Sequence, residues 1–200
     1  MGQPKGLMPY HGRPWLSEQL ERIEALGSSD CYVVLGFERT AYLPLLETRF
    51  RATACIHSRL RTQLHVVHNP MPEHGPFSSL CAAIPRLPAA TTAAFVLPLD
   101  VPAAQHATWF ALATALTDDV SAVIPTHNGH GGHPVLLRRS FLEQLATIPR
   151  DAAHARLDHQ LHALPSRALV RLAVSDAQVA CDLNTPADLQ QYSQAMDRSS

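Results

Sequence analysis

The stretch Ala93-Ala-Phe-Val-Leu-Pro-Leu-Asp100-Val-Pro102 decides the fold class of this chain. Residues 93–99 carry no charge, as expected of a strand covered on both faces inside an α/β sheet. Pro98 has no N–H to give to a ladder, so pairing is predicted to end near it. Asp100 then stands beyond the carboxyl end of the strand, where open α/β sheets place their ligands. Working outward, residues 31–37 form a second short apolar run, and residues 63–68, 121–125, 134–137 and 169–174 read as further strands. Between them lie helical patterns. Leu16, Leu20, Ile23 and Leu26 share one face of a helix over 14–26 that Gly27 stops. Residues 38–52, 77–87, 104–116, 140–148 (with Ser140 as cap) and 185–196 complete the set. Strands alternating with helices predict a doubly wound α/β fold with a mostly parallel sheet and helices on both faces. The 200 residues suit one domain, 1–200, with 151–166 as an irregular excursion holding His154, His159 and His162.

The net charge of −1 gives no electrostatic case for nucleic acid or an anionic membrane as partner. Cys31, Cys55, Cys81 and Cys181 are scattered, with no Cys-x-x-Cys spacing, which reads as reduced thiols of a cytoplasmic protein. Neither a secretory leader nor an apolar run of spanning length is visible. Lys5 is the one lysine among sixteen basic residues. Codon bias explains a lone survivor; so does a need for a compact, mobile ammonium that meets a phosphate as a point charge.

Five segments carry candidate chemistry. Asp100 is placed to hold Mg²⁺, which prefers oxygen ligands, or to cap the following helix. In Cys181-Asp-Leu-Asn-Thr-Pro-Ala-Asp-Leu189, Thr185 is a good N-cap, Pro186 fits the first helical position and Asp188 the third. Asp182 and Asn184 remain, alternating with Leu183 and so on one side of an extended chain. The opening Met1-Gly-Gln-Pro-Lys5-Gly reads as half of a phosphate-binding turn. Thr126-His-Asn-Gly-His-Gly-Gly-His-Pro134 spaces His127, His130 and His133 by three, and its glycines let backbone approach a ligand more readily than they hold a metal. Asn69-Pro-Met-Pro-Glu-His-Gly-Pro-Phe-Ser-Ser79 runs from a strand end into a helix, with Ser78 and Ser79 as helix-start residues or as donors to a base or ribose.

In this order the segments resemble the MobA-like nucleotidyltransferase family, and most closely its molybdenum cofactor cytidylyltransferase branch. Met1-Gly2-x-x-Lys5 resembles the end of that family's Gly-Gly-x-Ser-x-Arg-Met-Gly-x-x-Lys loop, and Asn69-Pro70 with Gly75, Ser78 and Ser79 its base-side segment. Leu99-Asp100-Val-Pro102 is similar to its Gly-Asp-Met-Pro metal motif, Gly132-His133-Pro134 to its Gly-His-Pro segment, and Asp182-Leu-Asn184-Thr-Pro-x-Asp188 to its Asp-Ile-Asp-Thr-Pro-Glu-Asp. The resemblance implies transfer of an NMP from an NTP, CTP by preference, to a phosphorylated acceptor such as molybdopterin, with release of pyrophosphate. Lys5 and Asp100 would be catalytic. Gly2, Lys5, Asn69, Gly75, Ser78 and Ser79 would bind nucleotide, and His133 and Pro134 would face the acceptor. Asp100, Asn184 and Asp182 would hold Mg²⁺, and a molybdoenzyme-maturation protein would be a partner. The family's first strand and the Gly-Gly-x-Ser-x-Arg half of its loop have no counterpart here, which leads us to expect an N-terminally truncated sheet. Asn184 replaces the family's aspartate. A non-catalytic relative that binds and delivers a cofactor, and a sugar-phosphate transferase, are the alternative readings.

Overall fold

A computed structural model describes residues 3–27, 30–55 and 62–199. The chain enters through a 3-10 turn at Lys5–Leu7 and a small hairpin, β1 (Pro9–Tyr10) and β2 (Arg13–Pro14). There follow α1 (Trp15–Ala25), β3 (Asp30–Leu35), α2 (Arg39–Cys55), β4 (Gln63–His68), α3 (Pro76–Ala83), β5 (Ala93–Val96) and α4 (His106–Ala115). The second half comprises β6 (Ala122–His127), β7 (His130–Gly131), β8 (Val135–Arg138), α5 (Arg139–Ala146), α6 (Leu157–His162), β9 (Leu169–Ala173) and α7 (Pro186–Ser199).

The α/β expectation holds, but the sheet is mixed and divided. Among the described residues, β3 and β4 pair in parallel as one sheet, and β5, β8, β6, β7 and β9 form another. In the second sheet β8 lies antiparallel between β5 and β6, while β9 runs parallel to β6. The cause is a reversal at Asn128-Gly129, whose φ angles of 50° and 82° are both left-handed. A two-residue turn of this hand matches strand twist and sends the chain back beside itself. Within their ladders, β3 pairs only with β4 and β5 only with β8 among the described residues.

Alternation along the strands sends side chains to opposite layers. Ile124 and Leu137 pack with Phe141, Leu142 and Leu145 of α5 on one face. Their neighbours Val123 and Leu136 pack with Leu112 of α4 on the other. Residues 151–166 are not an excursion: Ala155 and Leu161 are buried in the core that holds α5, and α6 spans the middle of the segment. Ser140 is not a cap either, because α5 already begins at Arg139.

The two chain ends are joined by an aromatic cluster around Arg22 of α1. Its guanidinium lies 5.8–5.9 Å from the ring centres of Tyr10, Trp15 and Tyr192, and it donates to the Tyr192 hydroxyl at 2.8 Å and to Glu18 at 2.8 Å. Cation–π attraction and hydrogen bonds to the Tyr192 and Tyr10 hydroxyls thus tie α7 and the entry hairpin to α1. Gly132 supplies a second constraint. A Cβ there would sit 2.0 Å from the carbonyl oxygen of Val179, in the 3-10 turn Ala177–Ala180, to which His133 donates its N–H at 2.8 Å. Gly132→Ala must therefore separate these backbones. Urea titration is expected to show a loss of about 3 kcal/mol, the upper range for overpacking; an unchanged midpoint would contradict the close approach.

Candidate active site

The site is built on the loop that leaves β5. Its backbone is held by side chains from elsewhere. Trp15 Nε1 donates to the Leu99 carbonyl at 2.7 Å. The buried Gln19 amide donates to the Val101 carbonyl at 2.6 Å and accepts from the Ala103 N–H at 3.0 Å. Asp176, also buried, accepts from the Gln105 N–H at 2.6 Å, from Thr108 Oγ1 at 3.0 Å and from the Gln178 N–H at 3.1 Å. Leu183 donates its N–H to the Asp100 carbonyl at 2.7 Å, which lays the 182–184 segment beside the loop. None of Trp15, Gln19 or Asp176 is singled out by the sequence, since the loop groups that each one holds lie about seventy or more positions away in the chain.

With its carbonyl so fixed, Asp100 presents its carboxylate to Lys5. The ammonium lies 3.0 Å from Asp100 Oδ2 and 2.8 Å from Asn184 Oδ1. Two oxygens, 95 and 179 positions away along the chain, thus converge on one cation. The capping alternative for Asp100 does not hold: Gln105 stands at the start of α4, without a side-chain cap. At α7 the capping box is formed as read. Thr185 Oγ1 accepts from the Asp188 N–H at 3.1 Å, and Asp188 accepts from the Thr185 N–H at 2.7 Å. Hydrogen bonds from the Thr185 side chain and backbone, with the Asn184 backbone, hold the Asp188 carboxyl below its usual range, and the Asn184 side chain turns to Lys5 instead.

Asn69 and Ser78 lie at the far end of β4, both 1% exposed. Asn69 Nδ2 donates to Ser78 Oγ at 2.8 Å and Ser79 Oγ at 3.1 Å, and its Oδ1 accepts from the Met71 N–H at 3.0 Å. Ser78 Oγ has the Met71 and Gly75 carbonyls within 2.9 Å. These side chains shape the 69–78 loop from within. Gly75 turns it at φ 78°, a left-handed value that an L side chain strains to adopt. Gly2 lies outside the described residues.

His133 and Pro134 meet at a cis peptide where the chain passes the end of β5. The His133 ring is largely buried, with Nδ1 3.4 Å from the Val96 carbonyl, so Nδ1 carries the proton and Nε2 the lone pair. Burial lowers its pKa against the opposing Val96 hydrogen bond and the fields of Asp100 and Asp182. His127 and His130 bond instead to the Val174 and Asn128 carbonyls. The three histidines form no metal cluster, and no group of three or more His, Cys, Asp or Glu is disposed to hold a metal among the described residues. The glycine of this loop that needs close approach, Gly132, meets backbone rather than an open site.

The mixed α/β fold matches solved structures of nucleotidyltransferases. A nucleotidyl transferase from Methanothermobacter thermautotroptrophicus superposes with a TM-score of 0.72, covering 98% of this chain and 86% of that one at 15% identity. The protein Rv0371c of Mycobacterium tuberculosis, solved in complex with manganese, superposes with a TM-score of 0.66 at 22% identity, covering 96% and 93%. The chain belongs to the MobA-like NTP transferase domain family, whose pattern matches residues 1–164. It is 27% identical over 146 residues, 72% of its length, to 70% of the molybdenum cofactor cytidylyltransferase of Escherichia coli K12. No described helix is long and apolar enough to cross a membrane.

Two outcomes follow from this geometry. Asp176→Ala leaves three donors without their acceptor and is expected to cost about 3 kcal/mol, the range for hydrogen bonds to a charged group, read by urea titration; a loss below measurement would deny the carboxylate its clamping role. For His133, the unfolded imidazole takes a proton near 6.5 and the folded one only at lower pH. Stability is therefore lost as pH falls below 6.5, levelling once the folded ring is itself protonated. Between pH 7.5 and 5.5, His133→Gln is expected to lose less stability than the parent protein, and an equal loss would refute the assignment.

Proposed function

We propose that this chain transfers a nucleoside monophosphate from CTP to the phosphate of molybdopterin. The observation that carries the reading is the convergence of Lys5, Asp100 and Asn184 at the carboxyl end of β5. The choice of CTP and molybdopterin follows the similarity to the E. coli cytidylyltransferase.

The acceptor's phosphate oxygen attacks the α-phosphorus in line. A new P–O bond forms there, the bond from the α-phosphorus to the bridging oxygen breaks, and pyrophosphate leaves with that electron pair. Such a reaction asks the protein for positioning and charge neutralisation rather than covalent chemistry. The donor set suits Mg²⁺: Asp100 Oδ2 and Asn184 Oδ1 are hard oxygens already converging on a cation, and Mg²⁺ usually takes one or two protein ligands beside water and phosphate. Bound there, the ion would neutralise phosphate charge. Lys5 supplies the second positive charge as a point ammonium. The 69–78 loop, pinned by Asn69 and Ser78 and turned at Gly75, is assigned to the base, with the Ser79 hydroxyl as its ligand-facing donor. His133, neutral and with Nε2 as acceptor, and Pro134 shape the acceptor side.

Pyrophosphate release with CTP, GTP, UTP and molybdopterin tests this directly. CTP is expected to support turnover best. Asp100→Ala and Lys5→Ala are each expected to reduce it by about a hundredfold or more, the scale of a lost transition-state donor. Retained activity in either variant would remove that residue from the mechanism, and absence of turnover with any nucleotide would favour a binding role.

A further inference from the structure

The Lys5 ammonium and a divalent cation call on the same two oxygens. Asp100 Oδ2 at 3.0 Å and Asn184 Oδ1 at 2.8 Å are the side-chain hydrogen-bond partners of Lys5 Nζ among the described residues. A Mg²⁺ or Mn²⁺ ion binds such oxygens at about 2.1 Å. An ammonium kept on the same pair would lie within a few ångströms of the ion, where repulsion between the two cations is large in any protein dielectric. We propose that Lys5 is a built-in placeholder: its ammonium occupies the cation position between Asp100 and Asn184, and metal entry displaces it toward the phosphates. The inference rests on the nucleotidyl-transfer reading for the identity of those phosphates, but its core, exchange of one cation for another, is separately measurable.

The local structure favours a swing of the side chain alone. Lys5 opens the 3-10 turn Lys5–Leu7, and the next residue is fixed. Gly6 donates its N–H to the Tyr42 hydroxyl at 3.2 Å, and a Cβ there would meet Tyr42 at 2.7 Å and Leu99 at 2.8 Å. The backbone is therefore held against α2 and the end of β5, while the lysine side chain, 42% exposed, has a flexible stem and open solvent beside it. An arginine would bridge the same oxygens with a rigid planar fork and suits such exchange poorly. The choice of lysine at this one position in an arginine-rich chain has a physical reason on this account.

The consequence is twofold. Without a metal, the ammonium neutralises Asp100 and holds Asn184 in register with it. With a metal, the displaced ammonium is delivered beside the ion, so that both charges reach the triphosphate together. Metal occupancy thereby arms Lys5.

Because Lys5 is the only lysine, selective ¹³C-lysine labelling gives a single side-chain ε resonance. Mg²⁺ titration of the nucleotide-free protein is expected to shift that resonance. In parallel, Mn²⁺ binding followed by electron paramagnetic resonance is expected to tighten about tenfold or more in Lys5→Met, which keeps the stem and removes the competing charge. Lys5→Arg is expected to bind Mn²⁺ no more tightly than the parent. An unmoved lysine resonance in a protein that binds Mn²⁺, or equal Mn²⁺ affinity in Lys5→Met, would overturn the exchange while leaving nucleotidyl transfer standing. Failure of both parent and Lys5→Met to bind Mn²⁺ would overturn the exchange together with the metal pair, and turnover with CTP would then decide the proposed function on its own.

Discussion

The structure depends on how the backbone of residues 99–105 is satisfied after it leaves the sheet. Polar backbone groups in a partly buried loop must find partners, and here no ladder supplies them. Trp15 and Gln19 reach in from α1, Asp176 from the turn after β9, and the Leu183 N–H from the segment before α7. Three parts of the chain are thereby locked to one loop. The same bonds set the position of the Asp100 carboxylate without using it, so it remains available for Lys5 and for ligand.

Around that loop the site is assembled from the two ends of the chain. Lys5 comes from the entry turn and Asn184 from the approach to α7, and both approach Asp100. The Arg22 cluster explains how these ends stay in place, since Tyr10, Trp15 and Tyr192 close on one guanidinium. Stability and site geometry are coupled through α1: its Trp15 takes part in the aromatic cluster and in the loop clamp, and its Gln19 and Arg22 serve one each.

Much of this was legible from local sequence. Thr185 and Asp188 announce a capping box because its partners are three residues apart. Asp100 after an apolar run marks a strand end because burial and the loss of N–H at Pro98 are local facts. The antiparallel return of β8 was also written, in Asn128-Gly129, but was masked by reading the histidines and glycines around it as ligand-facing. The partnerships of Gln19 and Asp176 were not legible, because each binds backbone more than sixty residues away and any buried amide or carboxylate reads alike in sequence. The glycines of the 126–134 loop read as allowing close approach to a ligand, but what Gly132 approaches, the Val179 carbonyl, is fixed by tertiary packing alone. The 151–166 segment misled because α6 is only six residues long, and its burial rests on Ala155 and Leu161 rather than on a periodic face.

On the proposed function, nucleotide and metal meet at the end of β5, between Asp100 and Asn184. Crystals grown with Mn²⁺ and a non-hydrolysable CTP analogue test it through the anomalous signal of the metal. A manganese peak bonded to Asp100 and Asn184 oxygens is expected, with triphosphate oxygens completing its shell and Lys5 turned onto the phosphates. A manganese peak elsewhere, on the His127–His133 loop for instance, or nucleotide bound away from the β5 end, would contradict it.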